Sequence, residues 1–130
     1  MVVLDTSAVV AIALGEPESA PFEEVISAAD EVLIGAPTAV ECGIVLSVRA
    51  GGPLETWLSA VGAVVVPFTQ EHAQEARSAW FRFGRGSGSP ARLNYGDAMS
   101  YAVAVVAGSP LLYAGDDFSH TDVLPALPRQ

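Results

Sequence analysis

Four short apolar runs, separated by segments with helical character, constrain the fold of this chain more than any other feature of its sequence. The runs lie at residues 2–4, 32–34, 63–66 and 111–113. The segments that predict helices lie between them, at 7–14, 19–29, 38–50, 53–61, 70–83 and 95–107. Strands that alternate with helices favour a parallel sheet covered on both faces. We therefore expect an α/β fold in three layers, with a mostly parallel sheet of about 4–5 strands, the fifth being weakly indicated near "TDVLP".

Length and composition predict one domain. A chain of 130 residues, 51% of them hydrophobic, can bury a core of its own. The single cysteine, Cys42, has no partner for an internal disulfide, so we expect a buried thiol and a cytoplasmic protein. No run approaches the roughly 20 apolar residues of a membrane span, so we expect no membrane partner.

Charge is distributed unevenly along the chain. The formal net charge is −9, and all six basic residues are arginines, which excludes mechanisms that need a catalytic lysine. Arg77, Arg82, Arg85 and Arg92 lie on or beside the Gly/Ser-rich stretch "FGRGSGSPAR". Such a stretch is typical of a mobile loop, here with few apolar anchors. The alternative is that these arginines balance the acidic half or bind a partner chain.

Three acids are expected at the carboxyl edge of the sheet, where open α/β sheets bind their ligands. Asp5 follows the first strand directly, and Asp116 and Asp117 follow the fourth. Each acid also fits a structural role. Asp5 can cap the following helix, worth about 1 kcal/mol, and the other two can form a turn.

Two further acids lie on predicted helices. Glu41 shares a helical face with Ile44 and Val48, so we expect this stripe to face the core. An ionised Glu that points inward is costly unless it is paired or binds a cation. Asp97 lies in the first turn of a helix that Asn94 can cap, where the helix dipole favours an acid by about 0.3–1 kcal/mol.

Acids that converge without a basic residue among them predict a site for a hard divalent cation. Mg²⁺ and Mn²⁺ prefer carboxylate oxygens and retain several waters. His72 and His120 lack the spacing of a zinc site, so we expect both on the surface. Asp122 is expected to cap or solvate a terminal segment.

Four segments together resemble the PIN-domain ribonucleases, and in particular the VapC-type toxins. They are "VVLDTSAVVAIAL", "PTAVECGIVLS", "LNYGDAMSYAVA" and "LLYAGDDFSHTDV". The resemblance runs from Asp5 to Val123, in the family's order and at its usual spacing. It implies one PIN domain over residues 1–130 with a PIN-like three-layer fold.

The resemblance also implies which residues form the site. Asp5, Glu41 and Asp97 match the three core metal-binding and catalytic acids of the family. Asp117, directly before Phe118, matches the fourth acid better than Asp116, which stays the alternate. The hydroxyl of Thr6 or Ser7 would line the site.

An activity and partners follow from the same resemblance. It implies endonucleolytic cleavage of RNA that depends on Mg²⁺ or Mn²⁺, and neutralisation by a cognate antitoxin. It further implies a homodimer or a toxin–antitoxin hetero-oligomer. On this interpretation Arg82, Arg85 and Arg92 contact RNA phosphates and not bases.

Other classes of protein place acids at the same sheet edge. A phospho-receiver domain needs a lysine, which the chain lacks, and a haloacid-dehalogenase-like phosphatase needs an Asp where Ser7 stands. The phosphate-binding motif G-x-x-x-x-G-K-[ST] is absent. One alternative stays open, a PIN-like binding module that holds a structural ion and does not cleave RNA.

Overall fold

The computed structural model describes residues 1–49 and 51–127, and its backbone alternates between strands and helices as the sequence predicts. The strands are β1 Val2–Leu4, β2 Val32–Gly35, β3 Ala63–Val66 and β4 Leu111–Leu112. The α-helices are α1 Thr6–Ala13, α2 Ser19–Ala28, α3 Ala36–Val48, α4 Leu54–Val61, α5 Gln70–Phe83 and α6 Tyr95–Ala107. A 3₁₀ turn over Asp117–His120 follows β4. None of these helices is long and apolar enough to cross a membrane.

The sheet is parallel throughout, with strand order β3-β2-β1-β4. The chain adds β2 and β3 on one side of β1 and then returns to place β4 on its other side. Strand order therefore reverses between β1 and β4, and the crevice outside their carboxyl ends is the expected ligand site. The weakly indicated fifth strand is reduced to a single parallel bridge between Leu111 and Pro125.

Helices cover both faces of the sheet. Because neighbouring residues of a strand point to opposite faces, Leu4 and Leu112 join a core with α1, α2, α3 and α4. Val3 and Leu111 join a second core, to which α5 and α6 contribute. The three-layer α/β prediction is confirmed.

The predicted buried face of α3 is wrong. Ile44 and Val48 are 60% and 80% exposed, whereas Thr38, Cys42 and Leu46 form the buried stripe. Apolar residues lie all round this helix, so their periodicity does not identify the face that packs against the sheet. The prediction of a buried Cys42 is confirmed.

His72 is also placed differently from the prediction. It is buried, with its Nδ1 accepting a hydrogen bond from the Thr69 N–H at 2.9 Å, and its ring stacks on Phe68. The imidazole thus closes a capping box at the start of α5, a role usually taken by Glu or Gln. His120 is exposed, as expected.

Candidate metal centre

Asp5 directly follows β1 and caps α1, and this structural role is compatible with a role in a metal site. Its side chain is buried, and its Oδ2 accepts hydrogen bonds from the Ser7 N–H at 3.0 Å and the Ser7 hydroxyl at 2.6 Å. The helix cap fixes the direction of the carboxylate at the carboxyl end of the central strand.

Ser7 joins the two strands between which the strand order reverses. Its hydroxyl, which donates to Asp5, accepts a hydrogen bond from the Ala114 N–H at 2.9 Å. Ala114 lies just past the end of β4. The segment that carries Asp116 and Asp117 is therefore tied to the same edge as Asp5, as predicted from the strand pattern.

Asp97 occupies the first turn of α6, where Asn94 is the N-cap. The Asp97 Oδ2 accepts from the Asn94 N–H at 3.0 Å, and the Asn94 Oδ1 accepts from the Asp97 N–H at 2.8 Å. This reciprocal capping box satisfies two backbone donors at the helix end. It also holds the Asp97 carboxylate at the start of α6.

The pKa of Asp97 reflects its burial and the other predicted acids around it. The pKa of Asp97 is raised from 3.8 to about 6, chiefly by burial and also by the negative charges of Asp5, Asp117 and Glu41, against the lowering effect of the hydrogen bond from the Asn94 N–H. Like charges raise a carboxyl pKa only when they lie close to it. Acids at the end of β1, on α3, on α6 and in the turn after β4 therefore form one acidic cluster.

Glu41 reaches the cluster from α3. The Thr6 hydroxyl donates to its Oε1 at 2.5 Å. On its other side, both carboxylate oxygens lie 2.8 Å from the position that a Cβ would occupy on Gly96. Gly96 was not among the predicted site residues, although a glycine directly before Asp97 in a helical turn is a visible signal.

The structure distinguishes the two acids of "GDD" by their surroundings. Both are exposed. The Asp116 carbonyl accepts from the Ser119 N–H at 3.0 Å and begins the 3₁₀ turn, whereas the Asp117 charge acts on Asp97. This favours Asp117 as the fourth acid, and the assignment stays a prediction.

The donor groups fit a hydrated hard cation. Across residues 1–49 and 51–127, the ion pairs are Met1–Asp30 and Arg82–Asp122, so no basic group neutralises the cluster. Burial raises the pKa of the neighbouring Cys42 thiol to about 12, so sulfur supplies no thiolate ligand.

The carboxylates do not form a closed set of metal ligands. Within the described part of the chain, no three His, Cys, Asp or Glu side chains are grouped closely enough to hold an ion by themselves. Mg²⁺ is usually bound by one or two carboxylates and keeps several waters. The spread of the acids is therefore compatible with a hydrated Mg²⁺ ion.

The three arginines proposed to bind RNA are not equivalent. Arg82 donates to Asp122 at 2.8 Å, and the Tyr101 hydroxyl donates to the same carboxylate at 2.5 Å. Asp122 thus anchors a side-chain network, which corrects the prediction that it only caps or solvates. Arg85 and Arg92 are exposed and carry no ion pair in the described structure.

The loop that carries Arg85 and Arg92 is anchored at its C-terminal end and is held by its own serine hydroxyls. Ala91 and, directly after the stretch, Leu93 are fully buried, whereas residues 85–88 are exposed, so the apolar anchors are few and lie at its C-terminal end. Within the loop, the Ser87 hydroxyl donates to the Gly84 carbonyl at 2.6 Å and accepts from the Ser89 N–H at 3.1 Å. Serine hydroxyls here replace the backbone hydrogen bonds of regular structure.

The sequence matches a known protein family and several ribonucleases. The family model described as PIN domain matches residues 2–124. Ribonuclease VapC28 of Mycobacterium tuberculosis is 41% identical over 98% of this chain and 99% of its own. Ribonuclease VapC42 of the same organism is 40% identical over 95% of this chain and 98% of its own.

Two solved structures share the fold. Mycobacterium tuberculosis VapC20, described as a Sarcin-Ricin loop cleaving toxin, superposes with a TM-score of 0.76 at 18% identity, covering 98% of this chain and 100% of that one. A chain of a toxin-antitoxin complex from Klebsiella pneumoniae superposes with a TM-score of 0.70 at 16% identity, covering 92% of this chain and 91% of that one. At these identities the likeness concerns the fold alone.

Proposed function

Since this chain belongs to the PIN domain family, and within it to the VapC ribonucleases, we propose that it is a Mg²⁺- or Mn²⁺-dependent endoribonuclease toxin with a cognate antitoxin. One observation carries the proposal. The charges of Asp5, Glu41 and Asp117 act on the half-buried Asp97, and no basic group within residues 1–49 and 51–127 forms an ion pair with any of these acids. Ionising such a cluster destabilises the folded protein, and a bound cation would offset that cost.

We assign the four acids Asp5, Glu41, Asp97 and Asp117 as the residues that hold the ion and form the catalytic centre, with Asp116 as the alternate fourth acid. When bound, the cation supplies Lewis-acid stabilisation of the charge that develops on the phosphate during hydrolysis.

The polar residues around the acids orient them. The Thr6 hydroxyl fixes the Glu41 carboxylate, and the Ser7 hydroxyl and N–H fix the Asp5 carboxylate. The capping box fixes Asp97. Ligands whose direction is set by hydrogen bonds lose less freedom when they bind an ion.

RNA must approach a protein whose net charge is −9, so general electrostatic attraction is weak. We propose that Arg85 and Arg92 provide local phosphate contacts, because they are exposed and lie in the loop that leads from α5 to α6, the helix that carries Asp97. Arg82 is a weaker candidate, since a phosphate would have to compete with Asp122 for its guanidinium.

Protein partners have an apolar surface available beside the site. Val40 and Ile44 of α3 are 63% and 60% exposed, and Tyr95 of α6 and Phe81 of α5 are each 76% exposed. Clustered exposure of large apolar side chains marks interaction surfaces. We propose that an antitoxin or a second copy of the chain covers this surface, and we place the protein in the cytoplasm with its RNA substrate. Light scattering of the chain, alone and co-expressed with the antitoxin, tests the assembly.

The activity is tested by incubating purified protein with total RNA and Mg²⁺ or Mn²⁺, adding EDTA to a parallel sample, and mapping the cut ends. We expect cleavage that EDTA stops and that Asp5→Asn abolishes. Asp30→Asn is the matched control, because Asp30 is an exposed acid that pairs with the N-terminus far from the cluster. Cleavage that survives Asp5→Asn contradicts the site assignment.

The alternative is a PIN-like binding module with a structural ion. It predicts that divalent cations raise the melting temperature while RNA stays intact under every condition. Both the ribonuclease and the binding module would need the cluster of acids, so the presence or absence of RNA cleavage decides between them.

A further inference from the structure

We propose that Gly96 is a positioning residue for Glu41. The missing side chain at position 96 lets the Glu41 carboxylate lie against the first turn of α6, next to Asp97. The inference rests on the proposed role of Glu41 in holding the cation.

Distances define the contact. A Cβ built on Gly96 would lie 2.8 Å from both carboxylate oxygens of Glu41 and 3.1 Å from its Cδ. Heavy atoms at such distances overlap, so an alanine at this position and Glu41 in its present place exclude each other.

Backbone conformation does not explain the glycine. Gly96 is an ordinary α-helical residue of α6 and is not among the described glycines with positive φ. In a helix, alanine is favoured over glycine because it has less freedom to lose on folding. The close approach of Glu41 therefore accounts for the glycine.

Thr6 restrains the same carboxylate from the opposite side. Its hydroxyl donates to Glu41 Oε1 at 2.5 Å, so the carboxylate is held between this hydroxyl and the Gly96 backbone. The group that an added methyl would meet is the end of a flexible side chain. Gly96→Ala should therefore displace the carboxylate and break its bond to Thr6, while α6 and the sheet keep their places.

A second helical glycine offers a matched control. Gly43 in α3 also lacks a positive φ, and a Cβ on it would meet only Leu54 Cδ2, at 3.9 Å. That distance is an ordinary van der Waals contact. Gly43→Ala thus makes the same chemical change in a helix near the site without touching a carboxylate.

The first experiment needs neither metal nor RNA. Melting temperatures are measured in EDTA for Gly43→Ala, for Gly96→Ala, and for Gly96→Ala in a Glu41→Ala background. We expect Gly43→Ala to raise the melting temperature by about 2–4 °C. Gly96→Ala should raise it less or lower it, and should regain the full increase when Glu41 is absent. If Gly96→Ala changes the melting temperature equally with Glu41 present and with Glu41→Ala, the proposed contact between Gly96 and Glu41 is refuted.

The second experiment titrates Mn²⁺ by calorimetry. We expect Gly96→Ala to weaken Mn²⁺ binding by about tenfold or more, Gly43→Ala to leave it unchanged, and Gly96→Ala to have no further effect in the Glu41→Ala background. Unchanged affinity in Gly96→Ala, or no Mn²⁺ binding by the unmodified protein, overturns the positioning role. If the variants show these Mn²⁺ affinities but the unmodified protein leaves RNA intact, the ribonuclease proposal is refuted and the positioning role of Gly96 stands.

Discussion

Asp97→Asn is expected to make the metal-free protein more stable while it abolishes RNA cleavage. The substitution removes one negative charge from the cluster and almost no volume. The amide oxygen of asparagine can still accept the hydrogen bond that the Asn94 N–H donates at 3.0 Å, so the cap of α6 is kept. Stability and activity should therefore change in opposite directions.

The magnitude follows from the pKa of the group. Asp97 titrates at about 6 in the folded protein instead of 3.8, chiefly because it is buried and also because Asp5, Asp117 and Glu41 repel its charge. At about 1.4 kcal/mol per pKa unit, the ionised carboxylate would lower the free energy of unfolding at pH 7 by about 3 kcal/mol, and solvent screening of the partly exposed side chain reduces this value. Burial of the amide also has a cost, so we expect a gain of roughly 1–3 kcal/mol, or about 3–9 °C in melting temperature.

The sign of the pH dependence follows from the same shift. Because the folded-state pKa is raised, the folded protein binds the Asp97 proton more tightly than the unfolded chain does. Lowering the pH from about 7 to about 4 therefore stabilises the unmodified protein relative to Asp97→Asn. The advantage of the variant should be full above pH 7 and absent below pH 4.

Thermal melts at pH 4 and 7.5, in EDTA and in Mg²⁺, measure these effects, with Asp30→Asn as the control. Asp30 is exposed and pairs with the N-terminal amine, whose charge lowers its pKa, so its substitution should give no gain. Mg²⁺ should raise the melting temperature of the unmodified protein more than that of Asp97→Asn. A melting temperature of Asp97→Asn that is equal or lower at pH 7.5 in EDTA would refute the argument from repulsion and burial.

Three further predictions concern the rest of the site. Asp117→Ala should reduce metal-dependent cleavage more than Asp116→Ala, and the reverse order of initial rates would reassign the fourth acid. The double variant Arg85→Ala with Arg92→Ala should raise KM, leave the cut sites unchanged, and flatten the log–log salt dependence of RNA binding by about 0.7 for each lost contact; an unchanged slope would assign the arginines to charge balance. Ser7→Ala should lower the free energy of unfolding in urea by about 1–3 kcal/mol, because the Ala114 N–H loses its acceptor; no change would mean that water replaces the hydroxyl.

The architecture was predictable because each strand is a short apolar run and each helix has recognisable ends. The predicted bounds of the helices differ from the observed ones by at most two residues. The buried face of α3 was not predictable in the same way. A helix with apolar residues on every side has no unique packing face until the sheet beside it selects one.

Contacts between side chains that are far apart in the sequence could not be predicted either. Asp122 lies 40 positions from Arg82 and 21 from Tyr101 along the chain, and no local pattern links them. Gly96 differs, because a glycine between a cap and an acid in a first helical turn is visible in the sequence. The reason for a glycine at this position is the nearby carboxylate of Glu41, and the sequence does not reveal it because the contact depends on the packing of α3 against α6.

The capping and metal-binding interpretations of Asp5 and Asp97 are two uses of one carboxylate. In each residue Oδ2 accepts the capping hydrogen bonds, and Oδ1 has no hydrogen-bond partner among the described residues. The cap sets the direction of the side chain, and the second oxygen stays available to a cation. In the sequence, the capping role and the metal-binding role are carried by the same aspartate, so the sequence pattern cannot distinguish the two roles. An Asp→Asn substitution distinguishes the two roles, because the amide oxygen can still accept the capping hydrogen bond but the negative charge that attracts a cation is lost.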